Sequence, residues 1–269
     1  MKRYNFSRVV LITGTSSGIG RAMVQFLADK HYLVIATARD AGRIIDLPAA
    51  AHLSLDVTQQ AQIDEVAQYV MQQFGRLDVL VNNAGMAIRG SLEDVPETMW
   101  ETIFDVNVMG PVRMTQAFAP YFRQQQHGHI INITTVRSLW GMPFLGSYTA
   151  SKAALDALTM ALSYEMAPWG VFVTLVRVGL TKTPLFQRSK QYSEPWMTSH
   201  SPYWDSYQRG HKMFERIARF GVNPQVIAQK VENVMTSSRP PRVLTIPLQA
   251  RIFDRLSPLL RWLGPLRKT

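Results

Sequence analysis

Tyr148 and Lys152 stand four residues apart at the head of an apolar, alanine-rich run (Ala153, Ala154, Leu155, Ala157, Leu158, Ala161, Leu162) that reads as a buried helix. The spacing puts phenol and ammonium on one side of its first turn. A nearby cation favours the phenolate, whose ordinary pKa is about 10, so a tyrosine in this company can give or take a proton closer to neutrality. A tyrosine and a lysine at this spacing also occur for packing alone. What sets this pair apart is the rest of the chain.

Arg8-Val9-Val10-Leu11-Ile12 is a β-branched run that feeds into Thr13-Gly14-Thr15-Ser16-Ser17-Gly18-Ile19-Gly20, and a helical pattern (Ala22, Met23, Phe26, Leu27) follows. Strand, glycine turn and helix in that order make an anion cradle. Glycine lets the backbone approach a pyrophosphate, and the free N–H groups and dipole of the helix start favour its charge. Gly14, Gly18 and Gly20, with Ser16, Ser17 and Ile19 between them, are therefore candidate cofactor-binding residues. A second strand, Leu33 to Ala38, ends in Arg39-Asp40. An acid at this place suits a free ribose 2′-hydroxyl and an arginine suits a 2′-phosphate. Ala38 stands where the acid is expected and Arg39 follows, which favours NADP, with NAD the lesser expectation. Asp40 would reverse that choice if the strand ended one residue later, and Arg39 could instead pair with Asp40 or Asp56; Arg43 is a further candidate for the phosphate.

His52 to Val57 reads as a third strand whose Asp56 could bond an adenine, and Gln59 to Phe74 as an amphipathic core helix. A fourth strand, Leu77 to Val81, leads into Asn82-Asn83-Ala84-Gly85, which should face the same ligand because crevices in parallel sheets open at the carboxyl ends of strands. One long helix is expected over 97–123, with Asn107 among apolar residues; it is either a satisfied core amide or the site of a kink that frees a carbonyl for water, and Gly110-Pro111 favours a distortion. The fifth strand, Ile130 to Thr134, ends at Thr135, thirteen residues before Tyr148. A sixth, Val171 to Val176, leads to Thr183, and a helix from Pro224 and a strand near Val243 close the pattern.

The order of these motifs, Thr13-Gly14-x-x-x-Gly18-Ile19-Gly20, Asn82-Asn83-Ala84-Gly85, Asn107 and Tyr148-x-x-x-Lys152, resembles the short-chain dehydrogenase/reductase family from Val9 to Pro184. The resemblance implies an α/β fold with a Rossmann-type doubly wound parallel sheet that binds NAD(P) and passes a hydride between nicotinamide and a carbonyl carbon. By the same resemblance Tyr148 is the general acid or base, and Lys152 binds the nicotinamide ribose and lowers the tyrosine pKa. Asn107 holds a relay water, Asn83 lies by the cofactor and Thr183 is a nicotinamide-side contact. Thr135 replaces the usual serine that polarises the substrate oxygen, and Ser138, where the family often has glycine, is a second candidate for that contact. Val178-Gly179 replaces the usual Pro-Gly.

Residues 1–250 are expected to form one oxidoreductase domain, with an aromatic segment at 185–220 (Phe186, Tyr192, Trp196, Tyr203, Trp204, Tyr207, Phe214, Phe220) as a substrate lid. Those rings suit an apolar small-molecule substrate, steroid-, retinoid- or lipid-like by family resemblance; packing of the segment on the core or a subunit partner is the equal alternative. Reduction of a 3-oxoacyl group on an acyl carrier is a second reading, and an NADP-sensing regulator without catalysis a third. Family members commonly pair through the helices near 97–123 and 151–166, so a homodimer or homotetramer is expected.

The 269 residues carry a formal charge of +10, and from Arg239 onward seven are basic and one acidic. The tail at 251–269 mixes arginines with Phe253, Trp262 and leucines, a composition that either lies on an anionic membrane surface or packs on the protein. No nucleic-acid module is apparent. The chain lacks cysteine, which excludes disulfides and thiolate chemistry. His127 and His129 are expected in a solvated turn, without a metal. With no apolar leader at Met1–Phe6 and no long apolar run, the expected location is cytoplasmic, with membrane association through the tail as the variant.

Overall fold

Strand β1 (Val9–Ile12) lies at the centre of the fold, and its alternation divides the core: Val10 and Ile12 pack on one face of the sheet, Val9 and Leu11 on the other. A computed structural model describes residues 8–139 and 141–247. Seven parallel strands follow the order β3-β2-β1-β4-β5-β6-β7, with β2 at Leu33–Ala38, β3 at Ala51–Ser54, β4 at Val79–Asn82, β5 at Gly128–Thr135, β6 at Val171–Val178 and β7 at Val243–Ile246. The central strands are buried on both faces, which is why they read as unbroken apolar runs.

Helices α1 (Gly18–Ala28) and α8 (Pro224–Thr236) cover one face, burying Met23, Leu27, Ile227 and Val231 against Val10 and Ile12. On the other, α2 (Gln60–Phe74) and the helix at Gly110–Gln125 bury Ile63, Val70, Phe118 and Phe122 against Val9 and Leu11. The single sheet and its two helical layers make one doubly wound α/β domain. The order in which strands are added reverses between β1 and β4, so the loops after these parallel strands open side by side into a crevice.

The helix expected over 97–123 is two helices, α3 (Glu97–Phe104) and α4 (Gly110–Gln125), joined by one π-helical turn at Asp105–Met109. Pro111 has no N–H to offer the Asn107 carbonyl four residues earlier, and its ring crowds that oxygen. The backbone yields by one residue, and the Gly110 N–H reaches back to Asp105 O. Helix α5 (Gly146–Glu165) carries Tyr148 on its first turn, then α6 (Leu185–Ser193) and α7 (Trp204–Ala218) cross the carboxyl ends of the strands.

His129 departs from expectation. It sits inside β5, only 5% exposed, with Nε2 2.8 Å from Thr174 Oγ1, and burial pulls its pKa down to about 3. His127 alone occupies the solvated turn. Among the described residues no helix is long and apolar enough to cross a membrane. The basic tail at 251–269 lies outside the described residues.

Candidate active site

The crevice floor is held together by one hydroxyl. Thr13 Oγ1 accepts from Asn83 N at 3.0 Å and Ala84 N at 2.9 Å, while Asn83 Nδ2 donates to Thr13 O at 2.8 Å and Gly14 O at 3.1 Å. The glycine loop and the asparagine loop are therefore one unit. A Cβ on Gly20 would lie 2.5 Å from both Asn83 Nδ2 and Gly14 O, so the helix start can reach this floor only as glycine.

Above the floor runs a cleft of about 530 Å³ lined at one end by Ser16, Ser17, Gly18, Ile19, Arg39 and Asp56 and at the other by Tyr148 and Lys152, while Thr183 stands against Gly18. A glycine cradle at a helix N-terminus, leading to a basic residue at the end of β2, fits a dinucleotide phosphate chain. Asp40 lies outside that wall: its carboxylate accepts from Gly42 N at 2.9 Å and caps a short 3-10 turn. Strand β2 ends at Ala38, so Arg39 is the side chain presented there. Asp56 lies past the end of β3 and is partly occupied with its own turn, accepting from Thr58 N at 3.0 Å and Thr58 Oγ1 at 2.8 Å.

At the other end β5, the π-helical turn and α5 bring four residues together. Asn107 is fully buried, accepting from Met86 N at 2.9 Å and donating to Met86 O at 2.9 Å and Ser151 Oγ at 3.0 Å. Its side-chain amide is thus a satisfied core group. The Lys152 ammonium donates to Ile133 O at 3.1 Å. Gly85 marks how close these two lie: a Cβ there would meet Asn107 Oδ1 at 3.1 Å and Lys152 Nζ at 3.3 Å. Thr135, the last residue of β5, stands by the Tyr148 phenol, which the turn after β5 brings back to it, and its hydroxyl favours the ionised phenol.

The electrostatics differ from expectation at Tyr148. Burial pushes the phenol up to about 12, and the partial relief comes from the Arg137 guanidinium and the Thr135 hydroxyl rather than from Lys152. Lys152 is itself pulled down to about 8 by burial, with the Asp156 carboxylate opposing. In a dry site, loss of solvation outweighs a cation one helical turn away.

Ser138 turns away from the phenol. Its hydroxyl lies 2.6 Å from Thr135 O and 2.7 Å from Asp156 Oδ2, and the same carboxylate oxygen accepts from Arg177 Nε at 2.8 Å. Asp156 thus ties α5 to β6 and to the turn after β5. It escaped the sequence reading although a signal existed: it is an acid four residues after Lys152 in an otherwise apolar stretch. Arg137 gave no such signal, since it sits in what reads as an irregular loop.

Most of the lid rings do not face the cleft. Trp196 Nε1 donates to Arg89 O at 2.7 Å, Tyr203 to Glu93 at 3.1 Å and Tyr207 to Asp94, and the Phe144 ring meets Tyr207 edge-on at 5.0 Å. These rings fasten the lid to the segment at 89–94. Helix α6 is the wall itself: Leu185, Arg188 and Tyr192 line the dinucleotide cleft, while Phe186, Lys190 and Glu194 line a wider recess of about 960 Å³ behind it.

Residues 8–194 match the family model described as short chain dehydrogenase. The chain is 36% identical to human retinol dehydrogenase 8 over 268 residues, covering 94% of this chain and 83% of that protein. It is 32% identical to a 3-ketodihydrosphingosine reductase of Bacteroides thetaiotaomicron over 249 residues, covering 92% and 91%. A short-chain dehydrogenase/reductase of Burkholderia phymatum, solved in complex with NAD, superposes with a TM-score of 0.81 at 25% identity and 98% coverage of both chains. The chain therefore belongs to the short-chain dehydrogenase/reductase family, oxidoreductases that act on CH–OH and C=O groups with a nicotinamide dinucleotide.

Proposed function

We propose that this protein uses NADP(H) to interconvert a carbonyl and an alcohol on an apolar, lipid-like substrate. The observation that carries the reading is the pairing of the two cleft ends: Arg39 in the wall at one, and Tyr148 with Lys152 in the wall at the other. The dinucleotide preference rests on Ala38 and Arg39 occupying the ribose end while Asp40 is turned to Gly42. The apolar preference rests on Met86, Ala87, Met99 and Leu185 in the cleft wall, and the names of the two relatives, a retinol dehydrogenase and a sphingoid-base reductase, support it.

When bound, the nicotinamide supplies or accepts the hydride at the substrate carbon. The chain's own part is the proton and the orientation. Tyr148 stays protonated well above neutrality, so towards a carbonyl it arrives ready to donate. Lys152 and Asn107, both close to Gly85, would hold the nicotinamide ribose and the route by which the phenol is reprotonated. Apolar neighbours Ile88, Ile103 and Trp100 keep bulk water from the phenol.

The test is NADPH and NADH oxidation against long-chain ketones and aldehydes, with Tyr148→Phe as control. Turnover with NADPH that disappears in the variant supports the reading; turnover that survives it removes Tyr148 from the chemistry. The same reading takes the chain as one domain to about residue 250 and as a homodimer or homotetramer. Exposed Leu158 and Tyr164 on α5 suit such pairing, and light scattering checks it. A cytoplasmic place, with the tail at a membrane or on the protein, completes the reading; vesicle co-sedimentation of the full chain and of one ending at 250 separates the last two.

A further inference from the structure

The chain's positive charge is confined to two stretches. Residues 1–181 hold 14 arginines and lysines against 14 acids and residues 221–238 one of each, while 182–220 hold seven against three and 239–269 seven against one. The body that carries the crevice is therefore neutral as a whole, and the excess of +10 belongs to the lid and the tail. Both meet at one end of the sheet. Helices α6 and α7 cross the carboxyl ends of the strands, and β7, parallel to its neighbour, delivers the chain to that same end at Pro247, from where residues 248–269 continue. Backbone bonds join the two places: Gly179 N donates to Ile246 O at 2.6 Å, and Lys182 N donates to Val222 O at 3.0 Å just past the end of α7.

The inner side of α7 is fixed by Tyr207, buried, whose hydroxyl accepts from Ser91 N at 2.8 Å. On the opposite side exposed Arg209, Lys212 and Arg216 follow at steps of three and four and so share one stripe, and exposed Arg219 comes in the turn after the helix. None of these four cations is paired with an acid among the described residues. Beside them stand Met213, 58% exposed, and Phe220, 87% exposed, whose apolar surface the fold leaves bare. We propose that this outer face of α7, with the turn at 219–220, docks on the surface of an anionic lipid bilayer, the ring and the thioether entering the headgroup region while the four cations meet the lipid phosphates. Charge selects an anionic partner, and the bare apolar side chains among the cations select one with an apolar interior. The inference deepens the reading of a lipid-like substrate and rests on it for the purpose of the contact. The recess of about 960 Å³ is lined by Ala218 and Arg219 from this region and by Thr183, which also lines the dinucleotide cleft, so docking would set that recess at the lipid surface.

The experiment is co-sedimentation of the full chain, tail included, with vesicles of phosphatidylcholine alone and of phosphatidylcholine mixed with phosphatidylglycerol. Three proteins are compared: wild type, the triple variant R209Q/K212Q/R216Q, and F220S. Wild type is expected to pellet with the mixed vesicles and not with phosphatidylcholine alone, and to be released by raised salt. Each cation near an anionic surface is worth about a fivefold gain in binding, so the triple variant is expected to bind roughly tenfold or more weakly. F220S is expected to bind more weakly as well, with the salt dependence kept. A triple variant that binds as wild type does, or a wild type that binds neither vesicle, overturns the proposal. Loss in the triple variant with F220S unchanged points to a purely polar anion, a nucleic acid or an acidic protein, and overturns the bilayer. If the triple variant does not fold, the three single variants carry the same comparison. The binding is read without turnover, so a protein that docks through this face yet reduces no long-chain ketone keeps the docking and loses the reading of the substrate.

Discussion

The Thr135 hydroxyl accepts the Arg137 N–H at 3.3 Å, in the turn that folds the chain from β5 back to the start of α5, where Tyr148 lies thirteen residues further on. The same hydroxyl stands by the Tyr148 phenol and favours its ionised form. Its removal should cost rate rather than fold. Thr135→Val, which keeps the shape, is expected to lower kcat about 100-fold with thermal stability little changed, while Thr135→Ser keeps most of the rate. Steady-state kinetics of the two variants, beside their melting curves, checks this.

The proposed preference for NADP is tested at Arg39. Loss of one charge-assisted contact to a phosphate is worth about 1.5–3 kcal/mol. Arg39→Ala should weaken NADPH roughly 10- to 100-fold and leave NADH nearly unchanged. Calorimetric titration of both into wild type and variant is the measurement, and an equal loss for both would remove Arg39 from the ribose end.

Gly20 is fixed by contact rather than by backbone angle. A methyl there would collide with Asn83 Nδ2 and Gly14 O at 2.5 Å, one of them backbone. Gly20→Ala is expected to part the two loops, with loss of NADPH binding and a lower melting temperature.

His129 makes stability pH-dependent. Its folded pKa, about 3, is below the ordinary 6.5, so between these values the unfolded chain binds a proton that the folded chain refuses. Stability from this group is full above pH 6.5 and is lost as pH falls towards 3. Urea midpoints should fall more steeply between pH 6.5 and 4 in wild type than in His129→Gln.

Much of the molecule was legible because its signals are local. The glycine turn after Val9–Ile12, the asparagine loop after β4 and the four-residue step from Tyr148 to Lys152 each need only neighbours in the chain. Pro111 announced the break at Asn107 for the same reason. What failed depends on three dimensions. His127 and His129 about Gly128 read as a turn before the strand, yet pairing with β6 carries β5 back over Gly128 and His129. The phenol was expected to be lowered by Lys152 because spacing reveals a neighbour and not the dryness of the site. The lid rings declared their apolar area but not the direction in which they would turn it.

The bond between Thr13 and the asparagine loop has one more consequence. Because both loops are pinned by the chain itself, the floor of the crevice is rigid before anything arrives. The entropy of ordering it is lost once, during folding, and does not weaken each encounter with a ligand. Such preorganisation favours an enzyme that must take up and release the same carrier at every turnover.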